Sequence, residues 1–202
     1  MDFPSNQENE IFFVDGAEYS LSNNHVDAFT SAAAHYLEVF KIDHEVDVYV
    51  SQRSILHKFD SSSRAWHRPP VYEKDNSVIC VYVDPDERLE KMLESLAHEM
   101  IHAWQVDRGD LVGRTWKGQD LSGLPYNVQP WEIEAHGNQE FIAECFFNDK
   151  IPTKSTLKEI TDHTDTFFKE LVKQGVSAHN KEKLIKIAKG IGWVGLGALI
   201  GF

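Results

Sequence analysis

The chain has 202 residues, 42% of them hydrophobic and 11% aromatic, which is enough to bury a core and too apolar for a disordered chain. Its formal net charge of −12 repels phosphate backbones, and no basic patch precedes the C-terminal region, so nucleic acid is not an expected partner. The two cysteines, Cys80 and Cys145, lie far apart in apolar stretches and are expected to be separate thiols, which suits a reducing compartment. The opening "MDFPSNQENE" has neither the basic nor the apolar region of a secretory signal, so the expectation is a cytoplasmic protein.

Residues 1–10 are polar, and "IFFVDGAEYSLS" (11–22) reads as a strand ending in an Asp-Gly turn. In the following stretch Val26, Phe29, Ala33, Tyr36, Leu37 and Phe40 recur at three- and four-residue steps, the period of a helix, with Asn23 or Asn24 as N-cap. "EVDVYVSQ" (45–52) alternates with a period of two and predicts a strand. The polar stretch 53–77 contains Pro69-Pro70 and is expected to be a loop or a sheet edge. "SVICVYVDP" (77–85) is dense in β-branched residues and predicts a buried strand, either central or the edge of a cleft.

The segment 84–109 carries Leu89, Met92, Leu93, Leu96, Met100 and Trp104 on one helical stripe, with acidic residues expected to crowd its first turn and Gly109 as its stop. Residues 110–129 read as a Gly- and Pro-rich loop. A second long helix is expected over 129–152, with Pro130 in its first turn, and a further amphipathic helix over 155–173. The predicted organisation is an N-terminal segment (1–22), a main domain (23–175) and a basic, then Gly-rich apolar tail (176–202). From Gly190 to Phe202 the tail is uncharged but too short to span the roughly 30 Å hydrocarbon core of a membrane; with its Gly197/Gly201 pair it is expected to dock on its own domain, a partner protein or a membrane surface.

Within the first long helix, "SLAHEMIHAWQV" places His98, Glu99 and His102 in the pattern HExxH. Residues i and i+4 share a helix face, so both imidazoles can address one ion, while Glu99 approaches that ion's open side as a general base would. With 10 His and 17 Glu in the chain, independent draws give roughly 0.04 occurrences of the pattern. A catalytic zinc usually has three protein ligands plus water, so a third donor is needed. Gln105 and Arg108 stand where one zincin pattern has a Gly and a His, which excludes that class. The helix over 129–152 offers Glu132, Glu134 and His136. Glu134 begins a series with Asn138, Phe141 and Cys145 that runs from polar to apolar, and a carboxylate at the polar end of a core-facing stripe calls for a positive partner. Glu132 lies about 160° round the helix from it and is expected to face solvent or a neighbouring ligand residue.

"LAHEMIHAWQ" followed by "WEIEAHGNQEFIAE" resembles the small gluzincin-type zinc metallopeptidases of bacteria and phages. The first half is similar to the SprT-like proteases, and the second to the ImmA/IrrE and thermolysin-type pattern. The resemblance covers about residues 76–150. It implies an α+β, zincin-like fold in which a small mixed sheet packs on the HExxH helix and a second ligand-bearing helix. It implies Zn2+ held by His98, His102 and Glu134, with Glu99 as general base and a protein or peptide as substrate. His136 is the alternative third ligand, as in SprT-like enzymes. Asn138 falls at the position that orients a ligand, and Tyr126 and His136 are the candidates to share charge in the transition state. The contrasting expectation is a non-enzymatic assembly or virion protein that keeps the fold, with a structural zinc or none.

Overall fold

In a computed structural model, residues 11–14, 21–52, 65–68, 77–84, 87–121, 124, 126 and 129–173 are described. The expected Asp-Gly turn after residue 14 and the C-terminal tail lie outside them. The chain forms two compact units, divided along the sequence between Arg108 and Gly109.

The first unit is built on a four-stranded mixed sheet of order β1-β2-β4-β3. Strands β1 (Ile11–Val14), β2 (Val46–Gln52) and β4 (Ser77–Val83) run parallel, and β3 (Ala65–Arg68) pairs antiparallel with β4. Helix α1 (Asn23–Phe40) connects β1 to β2, as a parallel neighbour requires. Its apolar positions Phe29, Ala33, Tyr36 and Phe40 are buried, as the period predicts. The N-cap is Ser22 rather than Asn23 or Asn24: its hydroxyl accepts from the His25 N–H at 3.4 Å, so the two asparagines lie inside the first turn. At the other end Lys41 takes the left-handed conformation at φ 50° and closes the helix on the Leu37 carbonyl.

Strand β4 lies between β2 and β3, so of its two expected positions the interior one holds. Val81 and Ile79 are fully buried, which accounts for the β-branched density of the segment. The outer position is filled by β3, from the polar stretch expected to be loop or edge. Helix α2 (Leu89–Asp107) packs on β3, β4 and α1. Its stripe residues Met92, Leu93, Leu96 and Met100 are buried, and the Phe40 and Trp104 rings stack at 5.0 Å. Arg108 lays its guanidinium 3.9 Å from the Trp104 ring centroid, and Gly109 follows in the left-handed region at φ 74°, ending the helix where the sequence predicts. Asp84 precedes the helix, and only Glu90 supplies an acidic group to its first turn.

In the second unit the expected loop after residue 110 is a small antiparallel meander of three two-residue strands, β5 (Leu111–Val112), β6 (Thr115–Trp116) and β7 (Gln119–Asp120). Its two-residue turns explain the glycines. Gly113 supplies the positive φ of the first turn, and Lys117-Gly118 are both positive, at 47° and 81°, as a type I′ hairpin needs. Lys117 carries its share of that strain while its ammonium lies 2.6 Å from Asp165 and 3.7 Å from Asp110. Helix α3 (Pro130–Phe147) opens with Pro130 at its first position and packs with α4 (Lys154–Lys173), whose Ile160, Thr164, Phe167 and Phe168 are buried.

The chain is thus a mixed α and β protein with a small mixed sheet. Cys80 and Cys145 are both free thiols, and burial pushes the Cys145 thiol above its ordinary range. No helix among the described residues is long and apolar enough to cross a membrane. Leu96 is fully buried on the face of α2 turned to the core. Leu96→Ala is expected to lower stability by about 2–5 kcal/mol, seen as a lower urea midpoint with an unchanged slope.

Candidate metal centre

Helix α2 brings His98 and His102 together as the four-residue spacing requires. Their Nε2 atoms lie 3.1 Å apart, with ring centroids at 4.7 Å and planes crossed at 87°. Nδ1 of His102 lies 2.8 Å from Oε1 of Gln105, a side chain with no exposed surface. An amide oxygen only accepts, so the His102 proton sits on Nδ1 and Nε2 keeps its lone pair. A tetrahedral zinc with bonds of about 2.0–2.1 Å holds two nitrogens about 3.3 Å apart. The observed separation is close to that value, and the protonation of His102 is the one a ligand needs. Glu99, on the same helix, is 6% exposed, out of bulk water but beside the turn that carries both imidazoles.

Sequence reasoning passed over Gln105, treating it only as the absence of a glycine. Its signal was the three-residue step from His102, which puts its amide beside that ring. His67 on β3 was missed as well. Its ring lies 6.3 Å from that of His102, with planes 27° apart, and its Nε2 is 3.2 Å from Oγ of Ser77. Burial, followed by the His102 and His44 rings, lowers the pKa of His67 to about 3, so at neutral pH the imidazole is uncharged. Nothing in "RAWHRPP" marks this residue; strand pairing across β4 brings it to the site.

In the second unit the first two turns of α3 are buried on every side, from Pro130 to Ala135. Glu134 has no exposed surface, as a core-facing carboxylate was expected to have. Glu132 is not directed to solvent. It is 6% exposed, and its Oε2 lies 3.9 Å from Nε2 of His136, so it turns to the neighbouring candidate ligand. The Asn138 amide donates to the main-chain carbonyl of Glu134 at 2.7 Å. Tyr126 is 58% exposed and meets the His136 ring edge-on, with centroids 6.2 Å apart. Glu132 and His136 therefore occupy one face of α3, and Glu134 and Asn138 the opposite one.

Comparisons of this chain with protein-family models, with curated proteins and with solved structures find no match.

The lowered pKa of His67 has a definite sign in stability. Between pH 6.5 and about 3 the unfolded chain takes up a proton at this ring that the folded chain refuses, so the fold loses stability as the pH falls through that window. In metal-free protein the stability of His67→Gln is expected to fall less steeply than that of wild type between pH 6.5 and 4. Urea unfolding at a series of pH values measures the difference, and parallel curves would refute it.

Proposed function

We propose that this chain is a zinc-dependent metallopeptidase with a zincin-like arrangement of its HExxH helix. The observation that carries the reading is the convergence of the His98 and His102 Nε2 atoms at 3.1 Å, with the His102 proton held on Nδ1 by Gln105. A metal-ligating imidazole normally has such a hydrogen-bond partner on its other nitrogen, which supports the reading. Bound zinc would polarise a peptide carbonyl and bring the pKa of a coordinated water towards neutrality.

The chain's own residues do the rest. Glu99 accepts the proton of the attacking water and returns a proton to the leaving amine, and its position one residue after His98 keeps it out of the ligand set. The third ligand is assigned to α3. The resemblance to gluzincins and the complete burial of Glu134 favour Glu134. A second assignment has its own support, because Glu132 and His136 lie 3.9 Å apart on one face, the i, i+4 spacing of a two-donor metal face. The substrate is a protein or peptide. Because β4 is interior, an extended substrate adding to the sheet would pair along β3, the outer strand on the side of His67.

Two measurements on the purified full chain test this reading. Wild type is expected to hold one zinc per chain, and Glu99→Gln to keep that zinc while peptide hydrolysis falls by about 10²–10⁴-fold. Glu134→Ala is expected to lose the metal, and retention there with loss in both Glu132→Ala and His136→Ala would move the assignment to the other face of α3. Zinc-free wild type, or hydrolysis that survives Glu99→Gln, would remove the peptidase reading and leave the non-enzymatic one.

A further inference from the structure

Around the C-terminal end of α2 four side chains form a continuous hydrogen-bonded series. Oδ1 of Asp107, the last residue of the helix, lies 2.9 Å from Nδ1 of His44. Nε2 of His44 lies 2.7 Å from Oγ of Ser77, the first residue of β4, and that oxygen is 3.2 Å from Nε2 of His67 on β3. The Asp43 N–H also donates to Asp107 Oδ1, at 2.9 Å. The first three groups stand in the order of a hydrolase triad, but Ser77 has no exposed surface and no substrate carbonyl can reach its oxygen. The series therefore serves another purpose, and its far end shows which, because the His67 ring lies beside the ring of His102.

Counting protons gives the series a direction. A carboxylate only accepts, so Nδ1 of His44 donates to Asp107. When both rings of the series are uncharged each imidazole has one N–H, and in that state Nε2 of His44 accepts the single hydroxyl proton of Ser77. The Ser77 oxygen then has only lone pairs left to offer, and Nε2 of His67 must donate to it. His67 is left with a bare acceptor at Nδ1.

We propose that Asp107, His44 and Ser77 are positioning residues that hold His67 in its Nε2–H tautomer, and that His67 Nδ1 accepts a hydrogen bond from a main-chain N–H of an extended peptide substrate. The proposed substrate contact rests on the peptidase reading above, whereas the direction of the series does not. A neutral ring with one fixed acceptor suits a neutral donor such as a peptide N–H, and β3, which carries it, is the outer strand of the sheet on that side.

The first test is the long-range 1H–15N spectrum of uniformly 13C,15N-labelled full-length protein at pH 8, with His67 assigned by through-bond correlations from its own main chain. The expected pattern is a protonated Nε2 and an unprotonated Nδ1 at His67, giving way to a tautomer mixture in Ser77→Ala. A protonated Nδ1 in wild type overturns the proposal whether or not any peptide is cleaved, and this result needs no variant to fold. The second test is hydrolysis kinetics of His67→Phe, expected to raise KM about tenfold with kcat within twofold and zinc content unchanged, the size of one neutral hydrogen bond. An unchanged KM with active enzyme overturns the substrate contact. A wild type that cleaves nothing removes the peptidase reading and that contact together, while the tautomer spectrum still decides the direction of the series.

Discussion

The structure of the first unit is governed by the burial of a helix that carries two histidines and a glutamate in its middle. From Met92 to Ala103 every residue of α2 except Ser95 is buried, so the motif shares the interior with the apolar stripe instead of facing water across from it. A polar group taken out of water must find a hydrogen-bond or charge partner, or it costs several kcal/mol. Gln105 answers that demand for Nδ1 of His102, and Lys91 answers it for Glu94 at the start of the helix, with its ammonium 2.6 Å from the carboxylate. The helix packs on β3 and β4, and the His67 ring of β3 lies beside that of His102. The convergence itself needs nothing more than the four-residue step.

Much of this architecture can be read from local pattern. The apolar residues of α1, α2 and α4 recur at steps of three and four, which located those helices to within a few residues, whereas α3 was bracketed by Pro130 and Pro152. The alternation of "VDVYV" and the β-branched run of "SVICVYV" located β2 and β4. What local pattern did not carry was information held between segments. Ser22 rather than an asparagine caps α1, a choice made by backbone geometry one residue upstream. The strand β3 sits in a polar stretch expected to be loop or sheet edge, and its pairing with β4 decides for the edge. The meander after residue 110 is too short for periodicity to register; its glycines were read as loop residues although two of them supply the φ of tight hairpins.

The candidate site divides in the same way. His98, Glu99 and His102 were legible because all three lie on one helix, where spacing fixes geometry. On α3, spacing correctly separated Glu132 and His136 from Glu134 and Asn138 as two faces. It could not show that both faces of the first two turns are buried, which is why Glu132 turns to His136, the second of its two expected directions, and not to solvent. Helical phase tells which residues are neighbours on a cylinder, and it is the surroundings of the cylinder that decide which face meets water. His67 was beyond reach for the stronger reason that its neighbours Ser77 and His102 are separated from it by long stretches of chain.

The series running from Asp107 to His67 has a property that follows from its proposed direction. A hydrogen-bonded chain that passes a proton along its length ends with every donor and acceptor exchanged, and it must be turned back, group by group, before it can pass another. Here the carboxylate at one end and the burial of Ser77 in the middle oppose such a reversal. The arrangement is therefore poorly suited to act as a wire for protons. With the direction proposed above it would be a standing dipole beside the candidate site, its polarity set by a residue at the far end of the very helix whose histidines it borders.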